Sequence, residues 1–129
     1  MTRQAVKAMG CAPTPPFFSQ AVKVGNMVFV SGQLARDAAG NVVGKGDMAA
    51  QTRQVILNIQ EILRAARAEL RHVVKLTAFM RDMSLAPQAW AVREEFFAAH
   101  PPASTGVEVS RLTGPDFLIE IEAIAVIED

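Results

Sequence analysis

The last part of the chain alternates between two faces with a period of two. In the run Leu118–Ile127, one face carries Ile119, Ile121, Ala123, Ala125 and Ile127, and the other carries Leu118, Glu120, Glu122, Ile124 and Val126. This period is typical of a β-strand, in which successive side chains point to opposite sides of the sheet. The pattern therefore predicts a strand with one apolar face and one face that mixes apolar residues with two carboxylates.

The two carboxylates, Glu120 and Glu122, need an environment that tolerates charge. Burying an unpaired carboxylate costs several kcal/mol unless it is hydrogen-bonded or gains a proton. Either the mixed face is open to water, or another subunit covers it and at least one carboxylate is hydrogen-bonded. Ile124 and Val126 share this face, which favours partial cover.

A second strand is predicted just before this one. Pro101 and Pro102 cannot continue a helix, and Val107 and Val109 then alternate with polar residues. The turn formers of 113–116 connect this strand to the last one. We therefore expect the two strands to be neighbours, with Glu108 pairing with Arg111 or a lysine.

Earlier parts of the chain alternate between strand and helix patterns. Gly25-Asn26 separates two apolar runs, which is the signature of a hairpin with positive backbone angles. Asp47 is a suitable N-cap for a long amphipathic helix, and Pro87 suits the first turn of a second helix that ends at His100. The predicted strands are Arg3–Ala8, Ala21–Val24, Met27–Ser31 and Val73–Met80.

The element order β-β-β-α-β-α-β-β predicts an α+β fold, with one mixed sheet and two helices on one of its faces. The length of 129 residues fits a single domain, 1–129. The other face of the sheet would be exposed in a monomer. Because that face carries apolar residues, the pattern predicts association through it.

Composition excludes several classes of function. The formal net charge is zero, without the basic footprint of a nucleic-acid-binding protein. No apolar run is long enough for a membrane span, and the N-terminus has no signal-peptide pattern. Cys11 is the single cysteine and is interpreted as a surface or interface thiol. A single cysteine excludes an internal disulfide, which fits a reducing compartment. We therefore expect a cytoplasmic protein that binds neither nucleic acid nor membrane.

Few residues suggest chemistry by pattern alone. The sequence has no metal-ligand motif, phosphate-binding loop or nucleophile elbow, so neither a metal nor another cofactor is expected. His72 and His100 stand at element boundaries and are interpreted as caps, and Asn58 is expected to satisfy a nearby backbone group. Glu120 would suit general acid–base chemistry if burial raises its pKa.

Motifs along nearly the whole chain resemble those of the Rid family, also called YjgF-like or L-PSP proteins. They are Pro16–Ala21, Gly25–Gln33, Gln51–Gln54 with Asn58, Val74–Thr77, Phe96–Pro102, Val107–Val109 and Ile119–Ala125. The resemblance implies a chorismate-mutase-like fold and a homotrimer whose sheets form a central barrel. It also implies a cleft for a small-molecule ligand at each subunit interface.

In deaminating members of this family, the cleft hydrolyses enamines and imines such as 2-aminoacrylate, and an arginine binds the substrate carboxylate. Alignment on Val107–Val109 puts Ser104 at that arginine's position, with Thr105 and Gly106 beside it as expected substrate-binding residues. Without a bidentate anchor, we expect weak or absent turnover of 2-aminoacrylate. Arg36 or Arg111 would rescue activity if either replaced the lost guanidinium.

Two other positions of the expected cleft also differ from the family pattern. Phe18 stands where the family has a tyrosine, and Trp90 aligns with an asparagine, so the cleft is expected to be less polar. Glu120 matches the family's water-positioning glutamate, and the backbone donors of Ser31 and Gly32 are kept. The resemblance thus implies catalysis by Glu120 and ligand binding by Phe18, Ser31, Gly32 and Trp90.

Three functions remain open from the sequence. The first is a Rid-type protein that binds a small imine or enamine, with or without hydrolysing it to a carbonyl compound and ammonia. The second is a non-catalytic ligand-binding or chaperone-like trimer. A ribonuclease, which the name L-PSP implies for some relatives, is disfavoured by the neutral charge.

Overall fold

The computed structural model describes residues 2–128. Six strands and two helices follow one another in the predicted order, which is confirmed. The strands are β1 (Arg3–Val6), β2 (Ala21–Val24), β3 (Met27–Gln33), β4 (Val73–Met80), β5 (Ala103–Glu108) and β6 (Ile119–Val126), and the helices are α1 (Met48–Ala65) and α2 (Ala86–Phe97). Single 3-10 turns, Leu70–His72 and Met83–Leu85, precede β4 and α2.

All six strands belong to one mixed sheet with the order β1-β2-β3-β6-β4-β5. Neighbouring strands are antiparallel except β4 and β5, which are parallel. A parallel pair needs a long crossover connection, and α2 provides it. The sheet and its two helices confirm the predicted α+β class.

The predicted pairing of the last two strands is wrong. β6 lies between β3 and β4, whereas β5 pairs only with β4 at the edge of the sheet. The alternation of residues decides which face a side chain occupies, but not which strand is its neighbour. Glu108 therefore meets neither Arg111 nor a lysine; its Oε1 accepts a hydrogen bond from the Met83 N–H at 2.9 Å.

The predicted faces of β6 are confirmed. Ile119, Ile121, Ala123 and Ala125 are at most 3% exposed. They pack with the apolar stripe of α1, whose fully buried members are Val55, Ile56, Ile59, Ile62 and Leu63. Burial of this sheet face under the helices forms the core and fixes the opposite orientation of Glu120 and Glu122.

Local signals place most element ends within one or two residues of the prediction. Gly25 takes a positive φ of 59° in the predicted hairpin, and the Asp47 side chain caps α1 by accepting from Ala50 N–H at 3.0 Å.

α2 ends earlier than predicted, at Phe97, because the last residues tighten into a turn in which His100 N–H donates to Phe97 O. His72 caps as expected, since its Nδ1 accepts from Glu69 N–H at 2.9 Å.

The face of the sheet opposite the helices exposes several large apolar side chains. Met27, Phe29 and Val107 are 37 to 41% exposed, beside the half-buried Ile124. Glu122 is exposed on the same face. A soluble monomer rarely leaves such a contiguous apolar surface open, so this open face is suited to contact with another protein surface.

Candidate functional site

Glu120 lies on the open face near the start of β6, opposite Phe79 of β4. Its carboxyl is half-buried. Burial is the main cause that raises the pKa of Glu120 above its ordinary value; the charge of Glu122 raises it further, and Arg36 opposes both. A carboxyl with a raised pKa holds and releases a proton nearer to neutral pH, as a general acid–base group must.

Gly32 lies directly beneath the Glu120 carboxyl. A Cβ added at Gly32 would stand 2.0 Å from Glu120 Oε2. Such a distance is impossible for real atoms, so only glycine leaves room for the carboxyl here. The β3–β6 register also shifts between Val30 and Gln33, and this bulge displaces Ser31 and Gly32 from the regular ladder. Bulges often occur beside active sites, where they redirect the chain.

Ser31 lines the same cavity but uses its donors within the protein. Its N–H donates to Gln20 O at 2.9 Å, and its hydroxyl donates to Ser19 O at 2.6 Å. These bonds tie β3 to the segment before β2. The expectation that Ser31 donates a hydrogen bond to a ligand stays a prediction. In this structure its two hydrogen bonds hold the cavity wall in place.

A proline-rich loop, residues 12–18, forms the opposite wall. Buried Gln20 holds it, since Nε2 of Gln20 donates to Ala12 O at 3.0 Å and Oε1 accepts from Ala8 N–H at 2.5 Å. The rings of Phe17 and Phe18 meet edge to face, with centroids 5.3 Å apart. Phe17 is 83% exposed and Phe18 46%, so the loop presents an aromatic pair at the rim.

Arg36 brings a positive charge to the cavity. Its guanidinium lies 5.0 Å over the Phe117 ring, close enough to Glu120 to oppose the rise in that carboxyl's pKa. Buried Asn58 fixes the Arg36 backbone by donating from Nδ2 to Leu34 O and Arg36 O at 3.1 and 3.0 Å. Asn58 therefore satisfies backbone groups, as expected, and also lines the cavity.

These parts enclose a cavity of about 500 Å³, here called the carboxylate cavity. It is lined by Ala12, Pro13, Thr14, Pro15, Phe17, Phe18, Gln20, Ser31, Gly32, Gln33, Leu34, Arg36, Asn58, Thr113 and Glu120. Four of the predicted site residues, Phe18, Ser31, Gly32 and Glu120, thus come together. A volume of this size suits a small metabolite.

Trp90 and Ser104 lie apart from the carboxylate cavity. They line a second cavity of about 340 Å³, here called the arginine cavity, with Arg93, Glu94, Phe97, Ala98, Pro101 and Pro102. Ser104 points to the helix side of β5, where its Oγ accepts a hydrogen bond from Arg93 Nη2. Within one chain, the predicted site residues are therefore divided between two cavities.

Thr105 and Gly106 line neither of these two cavities. Thr105 accepts a hydrogen bond on its Oγ1 from Lys75 Nζ at 2.6 Å, and Gly106 faces Met80 Cε. Arg111 is exposed and also lies outside both linings. Arg36, in contrast, occupies the carboxylate cavity.

The sequence patterns described above do not single out Arg93. Its spacing from Trp90 could have identified it. Arg93 follows Trp90 by three residues in the predicted helix, and residues three apart lie on the same helix face. Its position beside Ser104 depends on the packing of α2 against the edge strand, which no local pattern encodes.

Residues 2–128 contain no cluster of three or more histidine, cysteine or acidic side chains arranged to hold a metal ion. Over the same residues, no helix has the length and apolar character needed to cross a membrane.

A sequence model of the family described as endoribonuclease L-PSP matches residues 9–127. The chain belongs to this family. The resemblance to the Rid, or YjgF-like, proteins is thereby confirmed, because these names describe the same group of proteins.

Relatives within the L-PSP family differ in what their names say. A RutC family protein from Pyrococcus horikoshii is 46% identical over 108 residues, which cover 84% of this chain and 85% of the relative. A 2-iminobutanoate/2-iminopropanoate deaminase from Salmonella typhimurium is 40% identical and covers 84% and 86%. The solved structure of E. coli TdcF with bound serine superposes with a TM-score of 0.88 at 29% identity, covering 97% and 99%.

Proposed function

We propose that this protein hydrolyses a small imine or enamine to a carbonyl compound and ammonia. The observation that carries the proposal is the half-buried Glu120 carboxyl, whose pKa is raised and which lies over Gly32 in a 500 Å³ cavity. The name of the Salmonella typhimurium deaminase supports the same class of reaction.

Glu120 would act on the water molecule. Its carboxylate accepts a proton as the water oxygen bonds to the carbon of the protonated imine, which gives a neutral carbinolamine. The carboxyl then returns this proton to nitrogen. As the C–N bond breaks, the remaining hydroxyl proton passes to the carboxylate and from there to solvent, and the carbonyl compound and ammonia leave. An enamine first takes a proton on carbon to become the protonated imine. No oxidant and no metal is needed for these steps.

The two cavities of one chain suggest that a complete site needs two copies. The carboxylate cavity opens near Glu120, whereas the arginine cavity lies at the β5 edge beside α2. We infer a homotrimer in which the open faces meet and the carboxylate cavity of one copy adjoins the arginine cavity of the next. The apolar residues of the open face support this assembly.

The assay for this function uses 2-iminobutanoate, generated from threonine by a threonine dehydratase. Semicarbazide traps the imine that survives, so an active deaminase lowers the trapped amount and raises free 2-oxobutanoate. We expect the wild-type protein to do both. If trapping is unchanged while 2-oxobutanoate raises the melting temperature, the protein is a ligand-binding trimer and not a hydrolase.

A charge in the open face should separate the copies. Phe29 lies on this face opposite Ile124, and Phe29→Glu would bury a carboxylate in the proposed interface. We expect wild-type protein to sediment at three times the mass of one chain and Phe29→Glu to sediment as a monomer. The control is Gln88→Glu, which places the same charge on exposed α2 and should stay trimeric. A monomeric wild-type protein would contradict the assembly.

A further inference from the structure

Arg93 is a cation that forms no ion pair with a carboxylate among residues 2–128. The ion pairs formed among residues 2–128 are Lys45–Asp116, Arg53–Glu95, Arg64–Glu61 and Arg71–Glu69, and Arg93 is in none of them. Glu94 lines the same cavity but makes no ion pair with Arg93. The Arg93 guanidinium instead donates a hydrogen bond to Ser104 Oγ.

Partial burial of the Arg93 guanidinium without an opposite charge costs free energy of folding. Arg93 is half-buried, and burial lowers its pKa, with no carboxylate to oppose the effect. A guanidinium carries five N–H donors in a rigid fork, of which Ser104 takes one. The neutral Ser104 hydroxyl holds the fork in one orientation without cancelling its charge.

The surroundings of Arg93 match a small organic anion. The indole of Trp90, which is 56% exposed, and the rings of Pro101 and Pro102 give the 340 Å³ cavity apolar walls. A flat anion with a short apolar body can place its charged end on the guanidinium and its body against these walls. A carboxylate is the anion that the fork binds with two parallel hydrogen bonds.

We propose that Arg93, oriented by Ser104, binds the carboxylate of the substrate, which is therefore a small 2-imino or 2-oxo acid. This inference rests on the proposed function for the reaction itself, but the binding step can be measured alone. It replaces the expectation of weak turnover on carboxylate-bearing imines, which assumed that no guanidinium stands beside position 104.

The test measures binding of 2-oxobutanoate and of 2-butanone, which lacks the carboxylate, by isothermal titration calorimetry. Wild-type protein should prefer the acid, and Arg93→Gln should raise its Kd roughly 10- to 100-fold, the usual range for a lost hydrogen bond to a charged group. Arg93→Lys, which keeps the charge but not the fork, should fall between them. Arg64→Gln, which removes an exposed guanidinium on α1, is the matched control and should bind like wild type.

A double variant separates anchoring from a structural role. Arg93→Gln with Ser104→Arg moves the guanidinium from the helix to the strand, within the same cavity. Recovery of the preference for the acid supports the anchor, whereas a structural role for Arg93 predicts no recovery. An unchanged Kd in Arg93→Gln overturns the inference, as does loss of the preference in Arg36→Gln alone.

The two proposals fail separately. If wild-type protein binds 2-oxobutanoate through Arg93 but leaves 2-iminobutanoate trapping unchanged, the hydrolase is wrong and the anchor stands. If wild-type protein hydrolyses the imine and Arg93→Gln keeps the same KM and kcat, the hydrolase stands and the anchor is wrong.

Discussion

Gly32→Ala should abolish most imine hydrolysis while leaving the protein folded. The added Cβ would lie 2.0 Å from Oε2, 2.9 Å from Cδ and 3.1 Å from Cγ of Glu120, so the carboxyl must leave its place. The obstructing atoms belong to a side chain that can rotate, and Gly32 is not among the glycines with positive φ. We therefore expect a loss of about 1–3 kcal/mol in the free energy of unfolding, but a fall in kcat/KM of about 100-fold or more.

Urea denaturation and the trapping assay measure the two effects of Gly32→Ala. Gly10→Ala is a matched control, because its Cβ would meet Glu61 Oε2 at an ordinary 3.4 Å and lies outside both cavities. Adding Glu120→Ala to Gly32→Ala should restore stability without restoring activity. Full activity in Gly32→Ala would show that the carboxyl position over Gly32 does not matter for catalysis.

Glu120→Gln should lower kcat by roughly 100- to 10,000-fold, the range for removal of a general acid–base group. It should also raise stability at neutral pH. Because the folded protein holds the Glu120 proton more tightly than the unfolded chain, ionisation of this carboxyl destabilises the fold. The penalty is absent below the ordinary pKa of 4.5 and accumulates as pH rises through the raised pKa.

The sign of the Glu120 effect can be checked by melting curves from pH 4 to 8. Glu120→Gln should melt above wild type at neutral pH, and the difference should vanish at the acid end. Glu122→Gln is the informative comparison, because removing that charge should lower the pKa of Glu120. In a plot of kcat/KM against pH, the rise on the acid side should then move to lower pH. Equal activity of Glu120→Gln and wild type would remove Glu120 from the mechanism.

The faces of the strands were predictable because they depend on local alternation. The pattern of β6 placed Ile119 and Ile121 in the core and Glu120 on the other side, and burial confirms it. The neighbour of β6 was not predictable in the same way. The parallel strands β4 and β5 are connected by α2. Pairing between segments so far apart in the sequence produces no local pattern of apolar and polar residues from which it could be predicted.

The candidate site divides along the same line. The family resemblance predicts Phe18, Ser31, Gly32 and Glu120 as site residues, and the fold brings them together in one cavity. The change at Ser104 was visible in the sequence, but Arg93 lies eleven residues earlier on a different element. The contact between Arg93 and Ser104 forms only when α2 packs beside β5 in the folded protein. The sequence therefore shows that the family's arginine is replaced by Ser104, but not that Arg93 lies next to that position.

In the proposed homotrimer, the separation of the two cavities within one chain would make the proposed activity a property of pairs of copies. A protein made only of Glu120→Gln subunits and one made only of Arg93→Gln subunits would each be strongly impaired at low substrate concentration, yet each keeps the part that the other lacks. When the two are unfolded, mixed equally and reassembled, about a quarter of the sites in random trimers would combine an intact Glu120 with an intact Arg93. Subunit exchange between two impaired proteins would then give a mixture more active than either, which no site confined to a single chain can do.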